Sequence, residues 1–141
     1  MYEGVDILAF VLRKCDKCNS DIKFNFTQRI DSYNDISWCG GYRCTKCDDG
    51  VEIDGSGIID DTLRNIILEQ EGLWGLHLEK EIDKVEVIKI IRKALNLSIE
   101  EVKRIKNSIP GVIITGTNVE MKRLQLLLKI GGLRSEVVKM N

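Results

Sequence analysis

Cys15-Asp16-Lys17-Cys18 and Cys44-Thr45-Lys46-Cys47 are two cysteine pairs of one spacing, separated by 25 residues. Their reading decides the fold of the first part of the chain. Two residues between cysteines let a tight turn aim both sulfurs at one ion, and two such turns on adjacent hairpins complete a tetrahedron. The expectation is one structural Zn2+ held by Cys15, Cys18, Cys44 and Cys47. Four thiolates leave no open position for water or substrate, so the ion should serve folding and not catalysis. The fifth cysteine, Cys39, makes a worse-shaped pair with Cys44 and reads as a buried or spare thiol.

Between the pairs, Ile22 to Ile30 alternates apolar and polar residues at Ile22, Phe24 and Phe26, the pattern of a half-buried strand. Gly41 to Arg43 and Val51 to Ile53 offer two more short strands. A β-hairpin module around a metal follows, and across about residues 12 to 55 it resembles the zinc-ribbon family. Asn19 and Asp48 stand where the usual ribbon has glycine, and both residue types tolerate the left-handed backbone such a turn needs. A ribbon this small has little core of its own, whereas structural zinc contributes roughly 10 to 16 kcal/mol in small domains.

The pattern then changes. Asp60-Asp61-Thr62 supplies N-caps for a short helix carrying Leu63, Ile66, Ile67 and Leu68, and Gly72 stops it. Trp74, Leu76 and Leu78 alternate as a strand. Val85, Ile88, Ile91, Arg92 and Leu95 mark a helix that breaks near Asn96, and Ser98 with Glu101 forms a capping box for a second helix through Val102, Ile105 and Ile109. Pro110-Gly111 ends it, Val112-Ile113-Ile114 reads as a strand, a helix runs from Asn118 or Val119 to Ile130, and a last strand lies near Glu136 to Lys139. The fold class expected is α+β: a zinc-ribbon module at 1–58, a connecting helix at 59–73, and a β-α-α-β-α-β domain at 74–141.

Residues 84–103, Lys-Val-Glu-Val-Ile-Lys-Ile-Ile-Arg-Lys-Ala-Leu-Asn-Leu-Ser-Ile-Glu-Glu-Val-Lys, resemble the first two helices of the C-terminal domain of the bacterial ribosomal stalk protein. Pro110, Gly116, Glu120 and the glycines before the final strand extend the match over residues 74–141. The resemblance implies a face for capturing translational GTPase factors, built here from Lys84, Val85, Ile88, Lys89, Arg92 and Lys103, with Ile99 and Glu101 beside them. Asn96 and Ser98 replace two family glycines in the interhelix turn, and Glu86 replaces a small residue.

Composition bounds the function. With 43% hydrophobic and 30% charged residues the chain is globular, and no apolar run reaches the length of a membrane span. Glu3 and Asp6 oppose a signal peptide, so the expected compartment is the cytoplasm. Residues 1–83 carry 9 Lys/Arg against 17 Asp/Glu, and residues 84–141 carry 12 against 5, so an acidic first half precedes a basic second half. His77 lacks a nucleophile nearby, and Asp48, Asp49, Glu52, Asp54, Asp60 and Asp61 lack calcium-loop spacing, so no enzyme is expected. Tyr33, Trp38 and Tyr42 lie among aspartates, which disfavours nucleic-acid binding by the ribbon, while RNA contact by the basic half is the lesser alternative. Neither a membrane nor a small-molecule substrate is expected as a partner. The expected function is protein binding, foremost as an immunity protein that neutralises a cognate bacterial toxin; the residues from Asp54 to Gly75 bear a loose likeness to such proteins. The alternative is an adaptor for the ribosome or a translation factor.

Overall fold

A computed structural model describes residues 9–140. The chain divides into two units, Met1–Glu71 and Gly72–Asn141, which carry formal charges of about −6 and +5. The reading of Glu3 and Asp6 lies outside the described residues. Among the described residues, no helix is long and apolar enough to cross a membrane.

The first unit is an antiparallel sheet of β1 (Ala9–Lys14), β2 (Asp21–Ile30), β3 (Ile36–Arg43) and β4 (Gly50–Ser56), in that spatial order, followed by α1 (Asp61–Glu71). The alternation in β2 places Ile22, Phe24 and Phe26 on one buried face. Gly40 lets β3 come close there, because a Cβ would stand 3.0 Å from Phe26 Cβ and 2.9 Å from the Asn25 carbonyl. Two differences from the sequence reading have clear causes. The run Ala9 to Leu12 shows no strong alternation, yet it pairs with β2 as a full strand. β3 begins five residues before Gly41, since Ile36 to Gly40 pair with Ile30 to Phe26 and the glycines interrupt nothing.

The helix expected to connect two domains is packed instead as part of the first unit. Asp60 Oδ1 caps it, accepting from the Thr62 and Leu63 N–H groups at 2.9 and 3.3 Å. Its Leu63 and Ile67, with Ile59 before it, join Ala9, Ile22, Phe24 and Phe26 in one core. Gln70 also exchanges hydrogen bonds with the Phe10 backbone, its Nε2 donating at 2.9 Å and its Oε1 accepting at 3.1 Å. An amphipathic helix buries its apolar stripe on the nearest uncovered sheet face.

In the second unit, β5 (Trp74–Leu78) is the centre of a three-stranded antiparallel sheet between β6 (Gly111–Gly116) and β7 (Glu136–Lys139). Helices α2 (Lys84–Leu95), α3 (Ile99–Asn107) and α4 (Asn118–Ile130) complete the order β-α-α-β-α-β. Each helix has a side-chain cap: Asp83 accepts from the Glu86 N–H, and Ser98 with Glu101 and Thr117 with Glu120 form capping boxes. Asn96 ends α2 in the left-handed region at φ 53°. Leu76, Leu78, Val87, Ile91, Ile105, Ile113, Leu124 and Leu128 form the core.

If α1 belongs to the first unit's core, Ile67→Ala removes a 1% exposed side chain and should cost about 2 to 5 kcal/mol. Urea unfolding followed by Trp38 fluorescence measures it; an unchanged midpoint would mean that α1 does not stabilise this unit.

Candidate metal centre

The sheet order decides where the cysteines go. In an antiparallel β1-β2-β3-β4 meander, the β1–β2 and β3–β4 turns lie at one end, and each contains one cysteine pair. Lys14 pairs with Asp21 below the first turn and Arg43 with Gly50 below the second. The two turns repeat the same hydrogen bonds. Asn19 and Asp48 donate to the carbonyls of Cys15 and Cys44 at 2.9 and 3.0 Å, and the Cys15 and Cys44 N–H groups donate to the carbonyls of Ser20 and Asp49 at 2.8 and 2.7 Å. Both turns close through a left-handed residue, Asn19 at φ 61° and Asp48 at φ 62°.

The result is convergence of four sulfurs within 4.8 Å of one another. Across the turns, Cys15 Sγ lies 3.6 Å from Cys47 Sγ, and Cys18 Sγ lies 3.5 Å from Cys44 Sγ. These separations are far too long for a disulfide. They fit a tetrahedral ion, because metal–sulfur bonds of about 2.3 Å put the sulfurs roughly 3.8 Å apart. Cys15, Cys18, Cys44 and Cys47 are thus placed to hold one metal ion with no coordination position left over. Cys15 and Cys44 are buried, Cys47 is half-buried and Cys18 is exposed. Cys39 sits in mid-strand between Thr27 and Asp54, outside the cluster.

The supporting shell was less legible. Tyr42, which the sequence places among aspartates with no assigned role, accepts from the Asp16 N–H at 3.3 Å through its hydroxyl and braces the first turn from β3. Ser20 Oγ lies 3.1 Å from Cys18 Sγ. No local pattern announces a contact spanning 26 residues. Lys14 pairs with Asp21, and Arg43 with Asp48 at 3.2 Å, tying the turns to their strands. Trp38 is half-buried against the core, and Tyr33 is exposed in the turn between β2 and β3.

As free thiols the ligands differ. Hydrogen bonds from the Ser20 hydroxyl and backbone lower Cys18 to about 6. Cys15 is lowered chiefly by the Cys18 backbone N–H. At Cys47 the Asp49 backbone favours the thiolate, but burial and the neighbouring sulfurs outweigh it and push the thiol up to about 12. One sulfur is therefore ready to ionise near neutrality, and the last gives up its proton only to a cation.

The residues expected to form a partner face separate into two groups. Val85, Ile88, Lys89 and Arg92 line one broad, shallow depression on α2, joined by Lys93 and Asn96. Lys84 and Lys103 are not in that lining. His77 lies in β5 opposite Glu136, with Nδ1 4.0 Å from Glu79. Compared with known proteins, the chain matches no family model, no curated protein and no solved structure at a significant level.

Metal binding displaces protons from the thiols, so the metal-free chain binds more protons than the metal-bound one, and stability rises with pH. The metal-dependent part of the stability should therefore fall as the pH is lowered, most steeply below about 6, where Cys18 too is protonated in the metal-free chain, read as a falling melting temperature whose pH dependence a chelator removes. Cys44→Ser should abolish metal retention and unfold the first unit, whereas Cys39→Ser should change stability by less than about 1 kcal/mol. Equal losses in the two variants would contradict the assignment.

Proposed function

We propose that the chain is a non-enzymatic, zinc-stabilised protein-binding protein, and that it acts as an immunity protein that neutralises a bacterial toxin by direct binding. Zinc is the ion that four thiolates in a closed tetrahedron fit best, and such a site serves folding. The ribbon-like hairpins then form a rigid support, and function falls to the surfaces.

The observation that carries protein binding is the α2 face. Val85 is 73% exposed on a helix that buries only Val87 and Ile91, and it shares one depression with Ile88, Lys89 and Arg92. Apolar anchors beside fixed cations make a docking surface, with the anchors supplying affinity and the charges orientation and speed. The immunity role draws support from the first unit. Its charge of about −6 becomes more negative by two if four thiolates hold one dication, and an acidic body attracts a basic, nucleic-acid-degrading toxin. Toxin neutralisation asks for complementarity and no catalytic group.

A second reading is favoured by the α2 row itself. The β-α-α-β-α-β order and the sequence resemblance to the ribosomal stalk C-terminal domain support an adaptor that captures a translation factor through Val85, Ile88, Lys89 and Arg92. Asn96, at the end of the same depression, replaces a family glycine and alters the docking turn.

If a toxin gene lies beside this one, co-purification with its product and protection of cells expressing it test the first reading; absence of a complex excludes it. The charge reversals Lys89→Glu and Arg92→Glu test the second in a titration against purified elongation-factor GTPases. Each should weaken binding roughly tenfold, and a factor that does not bind the parent protein removes this reading.

A further inference from the structure

We infer that the second unit holds a binding site for a compact phosphate-bearing molecule of nucleotide size on the outer side of α4. Lys122, Leu126 and Lys129 stand at i, i+4 and i+7 along α4, so they share one face. Together with Gln125, Leu133 and Arg134 they line a cavity of about 430 Å3. That volume lies within the range of small-ligand sites, roughly 300 to 1,000 Å3.

The segment that brings Arg134 to the helix is pinned. Gly132 turns it with φ +80°. The Gly132 and Leu133 N–H groups donate to the carbonyls of Lys129 and Leu128 at 2.9 and 2.8 Å, and Gln125 Nε2 donates to the Ser135 carbonyl at 3.1 Å. A guanidinium is thereby joined to two ammonium groups from another element. The lining contains no carboxylate, and among the described residues none of the three cations forms an ion pair. Ser135 lines both this cavity and its neighbour, with its Oγ buried beneath the surface. Three like charges gathered without a counter-ion gain most from an anion with several acceptor oxygens.

Charge and shape select the class of ligand. A phosphate group carries about −1.5 to −2 charges and several acceptor oxygens, so a diphosphate matches three cations where a single carboxylate does not. Leu126 and Leu133 provide apolar contact for an attached organic group. An extended RNA strand is a poorer fit, because single-strand sites combine a long basic groove with stacking aromatics, and no aromatic lines this cavity. Leu133, Arg134 and Ser135 also border a second cavity, whose lining includes Glu79, Glu81, Asp83 and Glu136. Those carboxylates end the positive surface and confine an anion to the α4 side. The site shares no residue with the α2 depression and does not depend on the role proposed for it.

Titration of the full-length, metal-loaded protein followed by amide NMR tests the inference, with ADP, inorganic pyrophosphate, adenosine and a short single-stranded oligonucleotide as probes. ADP and pyrophosphate should give saturable shifts confined to residues 122–135, and adenosine none. Lys129→Glu and Arg134→Glu should each weaken ADP roughly tenfold, Lys129→Gln less, and Lys89→Glu not at all. All of these side chains are exposed, and an unchanged amide spectrum of each free variant confirms its fold. The inference is overturned by any of three results: no saturable shift with millimolar ADP or pyrophosphate, unchanged affinity in both charge reversals, or binding of the oligonucleotide alone.

Discussion

Four cysteine sulfurs within 4.8 Å of one another cannot all be thiolates without a cation among them. At an effective dielectric constant of about 20, two unit charges 4 Å apart repel by about 4 kcal/mol, and four sulfurs make six such pairs. Without an ion the cluster must keep most of its protons, and the four side chains then lose any reason to stay together. With a dication the same repulsion becomes attraction toward a shared centre, which locks the β1–β2 turn to the β3–β4 turn. Lys17 and Lys46 hold the same place in the two turns, where positive charge opposes the excess of two negative charges left on a four-thiolate centre.

An ion held there would steady the rest of the first unit, because the cysteine cluster and the core are continuous. Cys15 and Cys44 are buried members of the same cluster as Phe24, Phe26 and Ile67. A sheet of four strands and one helix buries few large side chains, so the cross-link between hairpins contributes much of what a larger domain takes from apolar area. The second unit needs no such device. Its three helices each carry a side-chain cap and close over a core that includes Leu76, Leu78, Val87, Ile91 and Leu128, all fully buried.

Local chemistry made much of this legible in the sequence. The Cys-x-x-Cys spacing located the four sulfurs that converge, because a two-residue gap has a direct geometric meaning. Ser98 with Glu101 and Asn96 marked helix ends through hydrogen bonds reaching only a few residues. What stayed hidden depends on tertiary partners. Ala9 to Leu12 becomes a strand through pairing with β2, Tyr42 braces a turn 26 residues away, and Arg134 lines one cavity with Lys122 and Lys129 after a backbone turn at Gly132. The α1 helix was read from its own caps and stripe, but the surface that receives its stripe lies on strands far earlier in the chain.

In the account proposed here the zinc centre takes no part in chemistry and leaves recognition to the exposed faces. Its direct test is X-ray absorption at the zinc edge on the purified protein, together with metal content. One zinc per chain surrounded by four sulfurs at about 2.3 Å is the predicted result. A shell containing nitrogen or oxygen, or a metal content that is unchanged when Cys44 is replaced by Ser, would contradict it.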